Sequence, residues 1–530
     1  MLFRSDGVRG AAVIAVLFFH GGRLRGGYLG VDLFFVLSGF LITSLLLAEG
    51  TGTGRIALGP FWARRARRLL PALFLVLAAV AVYAAFVAEP NELARIRGDF
   101  LATLGYVANW RLVVGGFDYW TLFTSPSPLA HTWSLAIEEQ FYVLWPLVVL
   151  GLGLLVARRA DAWARTVFVA CAVLTAVSAA VALRFWFTSE STVRIYYGTD
   201  TRAAAILMGA ALAAWLIWRG PARRDGARLA LEAAGVFAVL ILALCWWRLE
   251  GRALYAGGLL LCSACATVVI AAAAHPIPGP VARAFAWRPL VAAGLVSYGL
   301  YLWHWPVYVV LDARRTGLDP WPLLALRLAV TTTFALASYH YVEQPIRQRR
   351  WSTGTLRWLT PVSAALLVAL AFVSTMREAP DRRIARVDAA SASAAAARAA
   401  TQVGTTRLMV VGNSIGWFLG DEGFEPRDAA ANTTTLNAAF PACHFPTVDL
   451  ERGAELGGGH PAVDCTVNWA DAVGPFRPDT VLFLLGDAGS IAGNRGTGWH
   501  SPCDTTYRRW TVDALDDARL DASEIGVGHV

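Results

Sequence analysis

Lysine is absent from this 530-residue chain, so all 46 of its basic residues are arginine. Charge of either sign is scarce, at 16% of residues where a soluble chain carries about a quarter. Long apolar runs take its place: 56% of residues are hydrophobic and the mean hydropathy is +0.49. An ordinary soluble globular chain is excluded, and a multi-span membrane protein is the natural reading. The missing lysines leave guanidinium as the only permanent side-chain cation. It suits planar contacts with anions, although compositional bias takes the larger share of this skew. No kinase, cyclase or nucleotide motif is visible. The arginines track the loops between apolar segments, so no nucleic-acid partner is expected. Cysteine is sparse, with seven residues. Cys262 and Cys265 form a CxxC, but it lies in an apolar helix without other ligands, so no metal is expected.

Eleven apolar segments are present, at roughly 8–22, 29–48, 70–88, 141–156, 164–184, 203–218, 229–247, 255–274, 289–312, 321–340 and 358–375. The stretch 99–115 competes as a twelfth, but Asn109, Arg111 and Asp118 make it a loop helix. With the N-terminus inside, the arginine-rich loops near 49–69, 157–163, 219–228, 275–288 and 341–357 are cytoplasmic, as the positive-inside rule requires. An odd span count then places everything after 376 outside. The first segment is not read as a cleaved signal, because GGRLRGG (21–27) is a poor cleavage site and a second span follows at once. Cys171, Cys245, Cys262 and Cys265 fall in apolar segments as small core residues. Cys443, Cys465 and Cys503 fall in the outer region, where one disulfide is expected, with Cys443–Cys465 the preferred pair.

Ionisable residues near the membrane interior are costly and need a reason. Arg9 and His20 bound an apolar stretch too short to cross a bilayer. Eleven positions along a helix place them on nearly the same face, roughly 16 Å apart. From spacing alone they are either interfacial anchors or a functional pair. FWARRARRLLP (61–71) puts four arginines at a span mouth, with Arg65 and Arg68 on one helix face. They form either a positive-inside anchor or a phosphate clamp. HTWSLAIEEQFYVLWP (131–146) brings Glu138 and Glu139 to another span, with His131 near. TDTRAAAILMGA (199–210) offers Asp200 and Arg202 as an ion pair. SYGLYLWHWP (297–306) holds His304 between two tryptophans that also suit an interface belt. His, Arg and Glu recurring near the ends of five spans suggest a polar cavity inside the bundle.

These motifs resemble the acyltransferase 3 family of integral-membrane O-acyltransferases, specifically bacterial members with an extracytoplasmic SGNH-type domain. The resemblance is carried by Arg9-x10-His20, GVDLFFVLSGFLI (30–42), RRARRLLP, HTWSLAIEEQFYVLWP, TDTRA, SYGLYLWHWP and VEQPIR (342–347), in family order. It implies a polytopic α-helical membrane domain over 1–350, a last span and Ala/Ser-rich linker over 351–404, and a partial α/β SGNH-like region over 405–530. It also implies transfer of an acyl group, commonly acetyl, from cytoplasmic acyl-CoA to a hydroxyl of a cell-envelope glycan or glycolipid in the bacterial plasma membrane. Arg9, His20 and Glu138 would be catalytic, and Arg65 and Arg68 would hold the donor. Glu139 occupies a more variable position. His20 would deprotonate the acceptor hydroxyl or briefly take the acyl group.

In the outer region RLMVVGNSIGWFLG (407–420) reads as strand, turn and helix start, and DTVLFLLGDAGS (479–490) as strand and turn. GNS at 412–414 resembles the nucleophile block of SGNH hydrolases and makes Ser414 the candidate nucleophile, with Asn413 replacing the usual Asp. The C-terminal Asp-x-x-His that would supply a base is missing, since Gly526 stands three residues before His529. The outer region is therefore expected to be incomplete and without esterase activity of its own. A transporter or flippase of a polar precursor is the competing function, because a polar cavity among many spans suits transport equally well.

Overall fold

Apolar runs become helices throughout the first of two units, Met1–Glu378. The computed structural model describes residues 2–88, 90–115, 127–156, 159–188, 192–249, 251–348 and 353–376 of that unit. In the second unit, Ala379–Val530, it describes 389–400, 406–412, 433–438, 443–444, 449–450, 463–464, 476–484, 493–494, 499–500 and 509.

Helices α1 (Leu2–His20), α2 (Gly30–Thr53) and α3 (Leu58–Phe86) carry the first three apolar segments. Two shorter helices, α4 (Pro90–Leu104) and α5 (Ala108–Val114), cover the stretch expected as a loop helix. Next come α6 (Trp133–Leu155), α7 (Ala160–Phe187), α8 (Thr192–Tyr197), α9 (Thr199–Arg219) and α10 (Asp225–Arg248). A π-helical turn at Leu254–Gly258 leads into α11 (Leu259–Ala274). After α12 (Pro280–Ala284), α13 (Arg288–Leu295) and α14 (Ser297–Val310), the short α15 (Ala313–Thr316) precedes α16 (Pro320–Ser338). A second π-helical turn, Tyr339–Glu343, opens onto α17 (Gln344–Arg347), and α18 (Thr353–Ser374) ends the unit.

Among the described residues, eight helical stretches are long and apolar enough to cross a membrane. They are Gly27–Thr53, Leu58–Phe86, Ala130–Leu155, Ala160–Phe187, Thr192–Arg219, Asp225–Arg248, Leu254–Ala274 and Pro320–Arg347. The fold class is the expected polytopic helical one, while the count of such stretches is eight against the eleven apolar segments. Two of the three differences have physical causes. α1 carries Arg4, Asp6 and Arg9 in its first half. The segment 289–312 is broken at Val296 into α13 and α14. The last segment falls in α18, of which the stretch Thr360–Ser374 enters this count and is too short to qualify by itself.

Helix contacts are tightest where glycines remove side chains. A Cβ on Gly39 of α2 would overlap the Ile206 carbonyl of α9, and one on Gly209 of α9 would overlap the Val36 carbonyl of α2. This backbone-to-backbone approach is the membrane solution to packing without a hydrophobic drive. It brings Asp32 of α2 to 3.0 Å from Arg202 of α9, both 2–3% exposed. The Arg202 guanidinium also lies over the rings of Phe35, Tyr196 and Trp133 at 5.5, 5.4 and 6.0 Å. The expected Asp200–Arg202 pair does not form. Residues two apart on a helix do not face each other. Asp200 instead accepts two hydrogen bonds of 2.7 Å from Arg194.

In the second unit, Thr406–Gly412 is the middle strand of a parallel three-stranded sheet, flanked by Thr433–Asn437 and Thr480–Leu484. Both strands read from sequence are present. The Ala/Ser-rich stretch read as a linker forms a helix, α19 (Ala389–Ala400), as an alanine run favours. Its Ala395 is buried with Met409, Val411, Leu436 and Val481 of the sheet. Asn413, Ser414, Cys465, Cys503 and the Gly486-Asp487 turn lie outside the described residues.

Candidate active site

Five helices of the first unit line a polar cavity. α1 contributes Arg9, α2 Ser38, and α3 Arg65 and Arg68. α6 adds Ser134, Glu138 and Tyr142, and α14 adds Tyr298 and Tyr301. The sequence-derived residues Arg9, Arg65, Arg68 and Glu138 are therefore brought together. Arg65 and Arg68 share a face because they stand three apart. The VEQPIR turn packs against their helix. The Tyr298 hydroxyl donates to the Leu69 carbonyl at 3.0 Å, joining α14 to α3 one residue past the arginines.

The cavity carries more positive than negative charge. Arg9 has Asp6 at 3.0 Å as its partner one turn back. The Arg65 guanidinium sits 5.0 Å over the Tyr142 ring. The Tyr142 hydroxyl lies 2.9 Å from Ser38 Oγ and 3.3 Å from Glu138 Oε2, which fixes the carboxylate of Glu138. Glu139 is not part of the cavity lining. Three guanidiniums facing one carboxylate form a site that a polyanion would satisfy.

His20 stands apart from that lining, at the end of α1, in a histidine cluster. Its Nδ1 is 3.0 Å from His304 Nε2, and the His131 ring is 5.3 Å from that of His304. Trp305 covers His20 at 4.6 Å. Arg9 and His20 thus do not line one cavity; Tyr301 links the Arg9 cavity to the histidine cluster. Its hydroxyl faces the cavity, hydrogen-bonds Ser134 at 2.6 Å and donates to the His131 carbonyl at 3.0 Å. Its carbonyl holds His304 Nδ1 at 2.6 Å.

The tautomers are assigned from the hydrogen-bond partners. A carbonyl only accepts, so His304 Nδ1 carries its proton there. With both rings neutral, His304 Nε2 is the acceptor, His20 Nδ1 is the donor, and the lone pair of His20 falls on Nε2. That is the arrangement of a general base oriented by a second group.

Sequence reasoning singled out His131 and His304 but placed neither in the site, and it passed over Tyr301 and Tyr142. The available signal was a histidine inside an apolar run, which the flanking tryptophans disguised as an interface belt. Among the described residues, no group of three His, Cys, Asp or Glu side chains is placed to hold a metal.

The profile described as an acyltransferase domain matches residues 3–342. A Bacillus subtilis protein named putative peptidoglycan O-acetyltransferase YrhL is 38% identical over 361 residues, covering 66% of this chain and 56% of that protein. The peptidoglycan O-acetyltransferase OatA of Listeria monocytogenes is 36% identical over 370 residues, covering 65% and 55%. The O-acetyltransferase OatA of Staphylococcus aureus is 35% identical over 353 residues, covering 65% and 57%. The chain thus aligns with little more than half the length of these relatives. No solved structure matches. With the profile covering more than half of its residues, all within the helical unit that holds the cavity, the chain belongs to the acyltransferase 3 family (Acyl_transf_3).

Proposed function

We propose that this protein is a membrane O-acyltransferase that moves an acetyl group from cytoplasmic acetyl-CoA to a hydroxyl of peptidoglycan or a related envelope glycan. The observation that carries the reading is the junction at Tyr301, where an arginine-rich cavity meets an oriented His20–His304 pair. The family and the names of the relatives support an acetyl transfer to a cell-wall glycan. The donor rests on chemistry: coenzyme A carries several phosphates, and Arg65, Arg68 and Arg9 offer matching forks. The arginine-rich loops favour a cytoplasmic N-terminus in a bacterial plasma membrane, with the second unit outside.

In this reading, His20 Nε2 takes the proton of the acceptor hydroxyl as its oxygen attacks the thioester carbonyl. A new C–O bond forms, the C–S bond breaks, and the thiolate leaves with the proton returned by the imidazolium. His304 holds His20 in the tautomer that presents the lone pair. Glu138, fixed by Tyr142, neutralises part of the arginine charge. Ser414 is the candidate nucleophile of the outer unit. Ser414→Ala is expected to leave the membrane step unchanged.

Mass spectrometry of envelope glycans from cells expressing wild type or His20→Ala tests the reading. Loss of O-acetyl groups with the variant still inserted supports it, and retained O-acetylation overturns it. A transporter would instead move its cargo with no acyl group joined to an acceptor.

A further inference from the structure

A second cavity, outside the proposed active site, lies between the start of α10 and the turn leading into α12. Its lining divides into two ends. At one end stand Arg228, Glu232 and Arg283; at the other, Val236, Phe237 and Leu240 climb α10 with 41%, 64% and 62% of their surfaces exposed. Glu232 is 8% exposed, yet among the described residues neither carboxylate oxygen has a hydrogen-bond partner. An unsatisfied buried charge is costly and calls for a counter-group. Arg228, one turn away, pairs with Asp225 at 3.8 Å instead. The carboxylate rests against Gly279, where any Cβ would overlap it. Gly279 has φ −93°, which every residue adopts, so its lack of a side chain makes room for the acid rather than relieving the backbone.

We infer that this groove is a lipid site, in which Glu232 receives the ammonium of an amino-phospholipid headgroup, Arg228 and Arg283 take its phosphate, and the exposed apolar stripe of α10 takes an acyl chain. The charge pattern matches a zwitterion: two separated cations flank a single buried acid. A simple anionic lipid would satisfy the arginines and leave Glu232 unpaired. The apolar stripe continues from the polar end along a helix long enough to cross the membrane, which selects a bilayer lipid over a free amine. A primary ammonium donates hydrogen bonds to the acid and a trimethylammonium cannot. Headgroup methylation therefore discriminates.

Full-length protein in detergent micelles, doped in turn with phosphatidylethanolamine, phosphatidylcholine or phosphatidylglycerol of equal chain length, is analysed by native mass spectrometry. Wild type is expected to retain the ethanolamine lipid about tenfold better than the choline lipid, the worth of one charge-assisted hydrogen bond. Glu232→Gln and Gly279→Ala are each expected to abolish that preference, the first by removing the charge and the second by displacing it. Equal retention of the ethanolamine and choline lipids by wild type overturns the proposal, as does glycerol-lipid retention matching that of the ethanolamine lipid. A preference that survives in either variant also overturns it. The wild-type comparison decides the matter even where a variant does not fold.

Discussion

Arg202 and the Arg65/Arg68 pair show two uses of guanidinium in one bundle. Arg202 has a single carboxylate at 3.0 Å and three aromatic rings around it, and it lies at the close crossing of α2 and α9. Its charge is spent inside the protein. Arg65 and Arg68 line an open cavity in which, together with Arg9, they outnumber the one lining carboxylate, Glu138. Their charge is left for a ligand. An arginine in a membrane segment is thus structural or functional according to whether the fold itself supplies the anion.

The largest effect should come from unbalancing the structural site. Asp32→Ala strands Arg202 without its counter-charge and should cost about 3–5 kcal/mol, the usual penalty for half of a buried pair. Thermal unfolding of the solubilised full chain measures this, and a wild-type melting curve would remove the distinction drawn between the two sites. Substituting Arg65 and Arg68 should act on binding instead of folding. Each lost charge-assisted contact is worth about 1.5–3 kcal/mol, so each alanine should raise the donor KM roughly tenfold or more with an unshifted unfolding transition. Lysine at either position should recover only part of the loss, because it keeps the charge without the fork.

Smaller effects sharpen the same contrast. Gly209→Val forces α2 and α9 apart at their closest approach and should cost about 1–3 kcal/mol, visible as a lowered unfolding temperature. Tyr142→Phe removes one hydroxyl from the Glu138 network. It should lower kcat/KM by about fivefold, the worth of one hydrogen bond of about 1 kcal/mol, without altering stability.

Much of this was legible in the linear chain, for stated reasons. Apolar length gave the helical class, and i, i+3 spacing gave Arg65 and Arg68 a common face. Pairings between distant helices were not legible. Arg202 finds Asp32 only because Gly39 and Gly209 let their helices touch, and nothing in TDTRA announces that partner. The break at Val296 was hidden because α13 and α14 form one continuous apolar run. His304 was visible as a residue, but its alignment on His20 depends on the Tyr301 carbonyl, a backbone group that no side-chain pattern reveals.

The most direct test of the central claim supplies acetyl-labelled CoA to the cytoplasmic face of oriented vesicles holding the full-length protein and a glycan acceptor on the far side. The account predicts label covalently joined to the acceptor by wild type, and none by His20→Ala inserted to the same level. Acceptor labelling by His20→Ala at the wild-type rate, or label that crosses the bilayer without being joined to an acceptor, would contradict it.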